Sequence, residues 1–281
     1  LSLPAEVERC PADLRNPDDC RRAMAGIEYV VHAAGAVSGV GARAFDAMAA
    51  ITTNLVLTAQ ILQAAWESGV QRLLLFSSSM AYPDLAHPVR EEEMWTALPA
   101  TPYAGYGWMR RYLERLAEFV AAKSPLSLAL VRPTAVYGPG DNFDPVTSHV
   151  VAALVRRAVQ RENPFLVWGD GEATRDYLHV DDLIRGSLLV LERHAVCDPV
   201  NIGSGRGVTV KALVGRILTF AGHTGAEVVF DSSKPSTIPF RVADTEKARR
   251  LLGFVPTISL DDGLRETIAW YTQSRETARE P

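Results

Sequence analysis

The chain has 281 residues, of which 47% are hydrophobic and 22% are charged, and its formal net charge is −4. This composition is that of an ordinary globular protein, and the lack of a long basic run disfavours nucleic acid as a partner. We find no apolar segment near the ~20 residues that cross a bilayer and no secretion-signal pattern, so we expect no membrane partner. The three cysteines (Cys10, Cys20 and Cys197) lack metal-ligand spacing, which favours a reduced, cytoplasmic setting and no metal.

The first half of the chain alternates short apolar runs with longer amphipathic ones. Continuous apolar strands separated by long helices predict a parallel sheet that is covered on both faces. Right-handed crossovers then give a doubly wound, Rossmann-like α/β fold, whose ligand site lies at the carboxyl ends of the strands. The expected strands are 28–34, 71–79 and 126–133, and the expected helices are 47–68 and 106–122.

The pattern changes after Gly138, where proline and glycine punctuate shorter elements. We interpret this part as a smaller mixed α/β lobe over the carboxyl edge of the sheet. The expected elements are helices 145–160, 181–193 and 260–271 and strands 165–168 and 227–230. The predicted division is a dinucleotide-binding domain at 1–139, with segments near 176–202 returning to it, and a substrate-binding lobe at 140–175 and 203–281.

Four motifs follow one another in register with these elements. A strand ends in "SSS" at 77–79, and a helix then begins with the Tyr-x-x-x-basic pair of Tyr106 and Arg110. The next strand ends in "RPTAVYGPGDN" at 132–142, and "RDYLHVDD" follows at 175–182. In this order the motifs resemble the extended short-chain dehydrogenase/reductase family of nucleotide-sugar epimerases, dehydratases and reductases.

The resemblance covers essentially the whole chain, from residue 12 to residue 271. The second lobe is most similar to the GDP-L-fucose synthase group of that family, through "DNFDPVTSHVV", "VWGDGEATRDYLHVDD" and "VVFDSSKPSTIPFR". The resemblance implies an NAD(P)-dependent epimerase or ketoreductase that acts on a nucleotide-linked 4-keto-6-deoxy sugar. It favours NADP(H) as the cofactor, with NAD(H) as the alternative.

The sequence lacks the glycine-rich turn with which a dinucleotide-binding sheet opens. The glycines at 35–41 follow an internal strand, and those at 203–207 lie in the second lobe. By the family pattern, residues 12–14 end the third strand of the sheet. We therefore expect that the first strand, its glycine loop and its helix precede Leu1 in a longer protein.

The chemistry that the resemblance implies is hydride transfer coupled to proton transfer. A tyrosine at its reference pKa of ~10 holds its proton firmly, and a nearby cation stabilises the phenolate. Tyr106 is the expected acid/base, Ser78 the expected partner of the substrate oxygen, and Arg110 the expected cation. Taken alone, Tyr106 and Arg110 are also typical of a half-buried aromatic and a basic side chain on a surface helix.

Two positions depart from the family pattern. Arg110 stands where the family has lysine, and arginine's planar fork is not interchangeable with an ammonium. Our hypothesis is that Arg110→Lys leaves activity equal or higher. Met80 stands where the fucose synthase pattern has a cysteine that works with a histidine, matched here by His149. Because a thioether cannot shuttle a proton, we expect ketone reduction or a single inversion through His149.

The resemblance also nominates binding residues. Small residues at a strand end would let the cofactor approach the backbone, and cations would bind the two phosphates of the substrate. The cofactor set is Asp13, Leu14, Ala33, Ala34, Asn54, Tyr106, Arg110 and Pro133. The substrate set is Asn142, Val150, Arg157, Trp168, Arg175 and Lys234.

Two other functions stay open from the sequence alone. One is an NAD-dependent nucleotide-sugar 4-epimerase without net redox change. The other is a non-catalytic relative that binds a sugar nucleotide or the cofactor. Whichever function is right, the family resemblance predicts a homodimer through the two long helices, 47–68 and 106–122.

Overall fold

Helices and strands alternate along the first half of the chain, as the apolar pattern predicts. The computed structural model describes Pro4 and residues 6–36, 44–233 and 238–277. The helices are α1 (Pro17–Met24), α2 (Ala44–Glu67), α3 (Ala104–Lys123), α4 (Val150–Val159), α5 (Val180–Arg193), α6 (Val210–Phe220), α7 (Glu246–Leu252) and α8 (Leu260–Thr277). The strands are β1 (Tyr29–His32), β2 (Arg72–Phe76), β3 (Ser127–Pro133), β4 (Ala135–Tyr137), β5 (Phe165–Trp168), β6 (Thr174–His179), β7 (Val200–Ile202), β8 (Gly207–Thr209), β9 (Val228–Asp231) and β10 (Phe240–Arg241).

The first sheet has the strand order β1-β2-β3-β7, and each neighbouring pair is parallel. Successive side chains of a strand point to opposite faces. Leu73 and Leu75 of β2 therefore share a buried core with α1, α2 and α3, whereas Leu74 shares one with α5 and α7. Helices cover both faces of this sheet, which confirms the doubly wound α/β fold.

The second lobe is built on shorter strands. β10, β6 and β4 are parallel neighbours, β8 pairs antiparallel with β6, and β5 pairs parallel with β9. Helices α4, α6 and α8 pack on one another through Leu154, Ile217 and Ile268. The carboxyl end of β3 passes directly into β4. The chain therefore moves from one sheet to the other beside the ends of the parallel strands.

One expected strand is absent. Ala12 and Asp13 have no regular secondary structure and Leu14 lies in a turn. Here local polar contacts win over strand pairing: the Asp13 carboxylate binds Arg15 at 2.8 Å, and the Asn16 side chain accepts the Asp18 N–H at 2.9 Å to begin α1. The prediction that 12–14 ends a strand was wrong for this structure.

The other expected helices and strands are present with shifted ends. Helix α8 ends at Thr277 rather than at 271, and α4 begins at Val150 although the pattern predicted residue 145. The Asp144 carboxylate accepts the backbone N–H groups of Val146 and Thr147, both at 2.9 Å, and forms a turn there instead. Helices α1, α6 and α7 and the short strands β4, β6, β7, β8 and β10 were not predicted.

Helix α2 also corrects an expectation about membranes. Its residues 47–67 have a mean hydropathy of 1.3 and are long and apolar enough, by length and composition alone, to cross a bilayer. In the structure this helix packs against α1 and α3, with Ile61, Leu62 and Ala65 in the buried core. Its apolar character is therefore used for packing within the fold.

A buried ion pair joins the main sheet to α3. Arg132 of β3 is 2% exposed, and its Nε and Nη2 atoms donate to the two carboxylate oxygens of Glu114 at 2.9 and 2.6 Å. Its Nη1 atom donates to the Tyr82 hydroxyl at 2.9 Å and to the Glu91 carbonyl at 2.8 Å. This two-pronged geometry compensates the guanidinium charge inside the protein.

The network continues through Tyr82 into β7. Burial raises the pKa of the Tyr82 phenol, which therefore keeps its proton and donates it to Asn201 Oδ1 at 2.7 Å. The Asn201 amide in turn donates to the carbonyls of Val89 and Asp244, at 2.9 and 3.2 Å. The segment that follows β2 is thus fixed against β3, α3 and β7.

We expect Glu114→Ala to destabilise the protein by about 3–5 kcal/mol, because it leaves the buried Arg132 guanidinium without its counter-charge. The matched control is Glu118→Ala on the same helix, where the pair with Arg115 is largely exposed and is worth at most about 1 kcal/mol. Urea unfolding of both variants measures the two free energies. Equal losses would show that the Arg132–Glu114 pair does not stabilise the fold.

Candidate active site

The end of β2 presents the serine run. Ser78 follows the strand, is 9% exposed, and begins a 3₁₀ turn over Ser79–Ala81. Its Oγ atom accepts the Met80 N–H at 3.1 Å. This bond leaves the hydroxyl hydrogen of Ser78 available to another acceptor.

Tyr106 and Arg110 make the contact that their spacing predicts. The Arg110 Nε atom donates to the Tyr106 hydroxyl oxygen at 2.9 Å, and the guanidinium carbon lies 5.0 Å from the centroid of the tyrosine ring. The Arg110 Nη1 atom donates to the Phe76 carbonyl at 2.9 Å. Because Phe76 is the last residue of β2, this bond brings Tyr106 to the strand end that also carries Ser78.

The end of β1 contributes small, exposed residues to the same edge of the sheet. Ala33 and Ala34 are exposed directly after the strand. Asn54 of α2 is buried and clasps the backbone of Ala36, accepting its N–H at 2.8 Å and donating to its carbonyl at 2.9 Å. A flat ligand could therefore lie against a fixed backbone here, and Pro133, the last residue of β3, lies two strands away in the same sheet.

A histidine lies next to this group but carries no charge. His32, the last residue of β1, accepts or donates a hydrogen bond with Thr58 Oγ1 at 3.1 Å. Burial lowers the pKa of His32 to about 4, and the charge of Arg110 acts in the same direction. The imidazole is therefore neutral near pH 7, and Arg110 supplies the positive charge at this edge.

Two of the expected cofactor residues are not part of this group. Asp13 is exposed, and its hydrogen bonds with the Arg15 side chain and backbone lower the pKa of its carboxyl to about 2. Leu14 packs against the core beneath α1 and α2. Neither residue contacts Ser78, Tyr106 or Arg110 in the described part of the chain.

His149 and its neighbours lie on the surface where α4 begins. His149 is exposed at the N-cap of α4, and Val150, the first residue of the helix, is 38% exposed. The Asn142 amide donates to Thr147 Oγ1 at 2.8 Å within the preceding turn. The structure thus leaves His149 accessible, and no hydrogen bond joins His149 to Tyr106 in the described part of the chain.

The expected substrate residues of the second lobe divide into two kinds. Trp168 is 49% exposed at the end of β5 and offers a free aromatic face. Arg157 instead donates to Glu162 and to the Leu166 carbonyl, both at 2.5 Å, so its charge is balanced within the lobe. Lys234 lies outside the described residues.

Arg175 has a neighbour that the sequence did not reveal. In the parallel pairing of β6 with β10, Arg175 is directly opposite Arg241, and both side chains are buried. Neighbouring residues in such a pair leave the same face of the sheet, where like charges repel. Burial lowers the pKa of Arg241 to about 10, and the charge of Arg175 contributes in the same direction.

The guanidinium of Arg241 is incompletely bonded. Its Nη2 atom donates to the carbonyls of Tyr82 and Pro83, at 3.3 and 2.8 Å. Its Nε and Nη1 atoms are buried and have no hydrogen-bond partner among the described residues. A buried donor without an acceptor is costly, so this cation is best satisfied by an anion. Tyr82 and Pro83 follow the serine turn, which links the arginine pair to Ser78.

Known proteins are similar to this chain in sequence and in fold. A model of the NAD dependent epimerase/dehydratase family matches residues 2–203. GDP-L-fucose synthase 1 of Arabidopsis thaliana is 34% identical over 251 residues, which cover 88% of this chain and 77% of that protein. GDP-L-fucose synthase of Escherichia coli (strain K12) is 33% identical over 267 residues, which cover 90% of this chain and 83% of that protein. The chain belongs to the NAD-dependent epimerase/dehydratase family, whose members are NAD(P)-dependent epimerases and reductases.

Solved structures agree on the architecture. UDP-glucose 4-epimerase of Thermotoga maritima with UDP-glucose has a TM-score of 0.83 at 28% identity, over 93% of this chain and 83% of that one. A GDP-L-fucose synthetase of Naegleria fowleri bound to NADP has a TM-score of 0.85 at 24% identity, over 95% of this chain and 84% of that one. The second likeness establishes the fold alone.

Proposed function

We propose that this protein is an NAD(P)-dependent ketoreductase or epimerase of a nucleotide-linked 4-keto-6-deoxy sugar. The observation that carries the proposal is the hydrogen bond from Arg110 to Tyr106 beside Ser78, at the carboxyl end of a parallel strand. The similarity to GDP-L-fucose synthases supports a sugar nucleotide as the substrate. Three free cysteines support a cytoplasmic location.

The hydrogen bond from Arg110 sets the direction of proton transfer. Arginine is only a donor and does not lose its proton in proteins, so it occupies a lone pair of the Tyr106 oxygen. The phenol hydrogen is therefore directed elsewhere, toward a substrate oxygen held by Ser78. When that oxygen gains negative charge, Tyr106 gives it the proton, and the Arg110 charge stabilises the phenolate that remains.

The residues around β1 and β3 fit a nicotinamide cofactor. Ala33 and Ala34 would admit its ring to the strand ends, Asn54 would hold the loop beside it, and Pro133 would border it. When bound, a nicotinamide would supply a hydride to the carbon of the sugar ketone or, in the reverse direction, accept a hydride from the corresponding alcohol carbon. We propose NADP(H) as the preferred cofactor, with NAD(H) as the alternative, and a dinucleotide-binding role for 1–139 and the segments near 176–202.

The second lobe would bind the nucleotide part of the substrate. The Nε and Nη1 donors of Arg241, which have no partner among the described residues, would be satisfied by a diphosphate, and Arg175 on the neighbouring strand adds a second buried positive charge. Trp168 offers an aromatic face for the base or ribose. Asn142, Val150 and Arg157 lie in this lobe, and Lys234 is nominated by the resemblance. This arrangement supports a substrate-binding role for 140–175 and 203–281.

The residue after the serine run limits which reaction follows. Met80, two residues after Ser78, is half-buried, and its side chain has no exchangeable proton. His149 is exposed and remains available as an acid or base. We therefore propose reduction of the ketone, with at most one inversion through His149, rather than a double epimerisation through a cysteine–histidine pair.

Tyr106→Phe tests the function. Wild-type protein is expected to oxidise NADPH with at least one 4-keto-6-deoxy nucleotide sugar, and Tyr106→Phe to lower kcat about 10²–10⁴-fold because the proton donor is removed. Absorbance of reduced nicotinamide measures the rate, and mass spectrometry in D₂O measures exchange beside the ketone.

Each other outcome of this assay identifies a different function. Sugar inversion without NADPH oxidation would select the 4-epimerase, and tight binding without turnover would select the non-catalytic relative. Deuterium at both carbons beside the ketone would contradict the limit set by Met80. Full activity of Tyr106→Phe would remove Tyr106 from the mechanism.

Arg110→Lys is expected to keep kcat/KM at or above the wild-type value, because the positive charge beside the Tyr106 oxygen is retained. Arg110→Met, of similar length but uncharged, is expected to lower kcat about 10²-fold or more. Steady-state kinetics with NADPH compares the two variants. A large loss in Arg110→Lys would show that the site depends on the two-point bonding of arginine to Tyr106 and Phe76.

We also propose a homodimer through α2 and α3. Trp108, Tyr112 and Phe119 lie at helical spacing on α3 and are 47%, 58% and 56% exposed, which is a large apolar face for a free surface. Sedimentation should give twice the 30.6 kDa of the chain, and Phe119→Glu should shift the mass toward the monomer. A monomeric wild-type protein would refute this proposal.

A further inference from the structure

Two neighbouring arginines of α3 bind the two ends of the serine run. Arg110 donates from Nη1 to the carbonyl of Phe76, the last residue before the run. Arg111, the next residue of the helix, donates from Nε to the carbonyl of Ala81 at 2.9 Å. Ala81 ends the 3₁₀ turn that follows Ser78. Ser78 therefore lies between two backbone carbonyls that are bonded to the same helix.

A short chain of hydrogen bonds joins Ser78 to Arg111. The Ser78 carbonyl accepts the Ala81 N–H at 3.2 Å, and the Ser78 hydroxyl oxygen accepts the Met80 N–H at 3.1 Å. The Ala81 carbonyl accepts the Nε–H of Arg111, whose Nη1 atom also donates to the Ala97 carbonyl at 2.8 Å. Losing the Arg111 guanidinium would therefore release the turn whose peptide groups orient the Ser78 hydroxyl.

The Arg111 side chain is buried without a counter-charge. It is 2% exposed, and its guanidinium carbon lies 5.4 Å from the centroid of the Trp95 ring and 5.3 Å from that of Trp108. Among the described residues no carboxylate forms an ion pair with it, and its Nη2 atom has no hydrogen-bond partner. Burying a cation without a carboxylate costs stability, so stability alone does not account for an arginine at this position.

Gly107 lets the same segments pack closely on α3. A Cβ atom at this position would lie 2.6 Å from Pro99 Cβ, which is closer than two carbon atoms pack, and 3.5 Å from Ala81 Cα. The glycine follows Tyr106 directly, and Arg111 lies one helical turn further along. Two contacts of α3, at 107 and at 111, therefore hold the serine turn beside Tyr106.

We propose that Arg111 is a positioning residue, which holds the Ser78 hydroxyl beside the Tyr106 hydroxyl so that both reach one substrate oxygen. The inference rests on the proposed function, since it concerns the geometry of the same two hydroxyls. Arg111 acts through the turn and touches no reacting atom, unlike Arg110, whose charge stabilises the phenolate. Displacing a reacting group by about 1 Å can lower a rate about 10²-fold, so a loosened turn should slow the chemical step.

Arg111→Met tests the inference, since methionine keeps the apolar contact with Trp95 and Trp108 but cannot donate to either carbonyl. Amide hydrogen exchange of a peptide covering 77–82, measured without substrate, should be about tenfold faster in the variant. The kcat for reduction of the keto sugar nucleotide should fall about tenfold or more. Its KM, and the Kd of GDP or UDP, should change less than about twofold, because the nucleotide is bound elsewhere. The pH profile of kcat should keep its position, because the Arg110 charge is unchanged.

A double-mutant cycle with Ser78→Ala separates positioning from a general loss of structure. If Arg111 acts through Ser78, the double variant should have the kcat of Ser78→Ala within about twofold. Arg115→Met is the matched control. Arg115 lies one turn further along α3 and also contacts the Trp95 ring, at 4.0 Å, but donates to Glu118 rather than to the turn. This control should match wild type in exchange at 77–82 and in kcat.

Additive losses in the double variant would assign Arg111 a purely structural role and overturn the inference, as would unchanged exchange and kcat in Arg111→Met. If Arg111→Met does not fold, Arg111→Lys takes its place, because an ammonium lacks the planar fork that binds two carbonyls. Wild-type exchange and kcat in that variant would equally overturn the inference, and each of these results leaves the proposed function intact. A wild-type protein that reduces none of the keto sugar nucleotides would overturn the proposed function together with this inference.

Discussion

The buried pair of Arg132 and Glu114 is the constraint on which the site depends. It joins β3 to α3, and its extension through Tyr82 fixes the segment that follows the serine run. Breaking either partner would strand a charge at low dielectric, so the pair enforces one relative position of sheet and helix. Tyr106 lies on that helix, and Ser78 follows β2, the strand next to β3. The position of both residues at the same edge of the sheet therefore depends on an ion pair outside the candidate site. Tyr82 extends the same constraint to Arg241, which its carbonyl holds.

Arg110 differs from a lysine at the same position in the contacts that it makes. A lysine would present one compact charge, whereas the guanidinium reaches the Tyr106 oxygen with Nε and the end of β2 with Nη1. The second bond fixes the cation to the strand that also leads into Ser78. The disadvantage is that the Arg110 nitrogens bonded to Tyr106 and Phe76 are less available to a hydroxyl group of a cofactor. The two bonds thus fix the guanidinium and the Tyr106 hydroxyl together at the end of β2.

Periodicity predicted β1, β2 and β3 and the long helices α2 and α3 between them, because runs such as Leu73, Leu74 and Leu75 are continuously apolar and only a two-sided sheet can bury them. Family motifs then nominated Tyr106 and Ser78 as candidate site residues. The strand expected at 12–14 was wrong, since the family pattern does not show the local polar contacts that Asp13 and Asn16 make there. Arg241 was not predicted, because it is the register of β10 against β6 that places it opposite Arg175. A two-residue strand is too short to show a periodic pattern in the sequence.

The buried arginine that stabilises the fold and the arginines of the candidate site have different hydrogen-bond partners. Arg132 is neutralised by a carboxylate and serves the fold, whereas carbonyl and phenol oxygens accept the hydrogen bonds of Arg110 and Arg241 and leave their positive charge in place. Arginine stays protonated in proteins, so this charge persists at any ordinary pH. Arg110 holds this charge at the carboxyl end of β2, and Arg241 holds it at the pairing of β10 with β6.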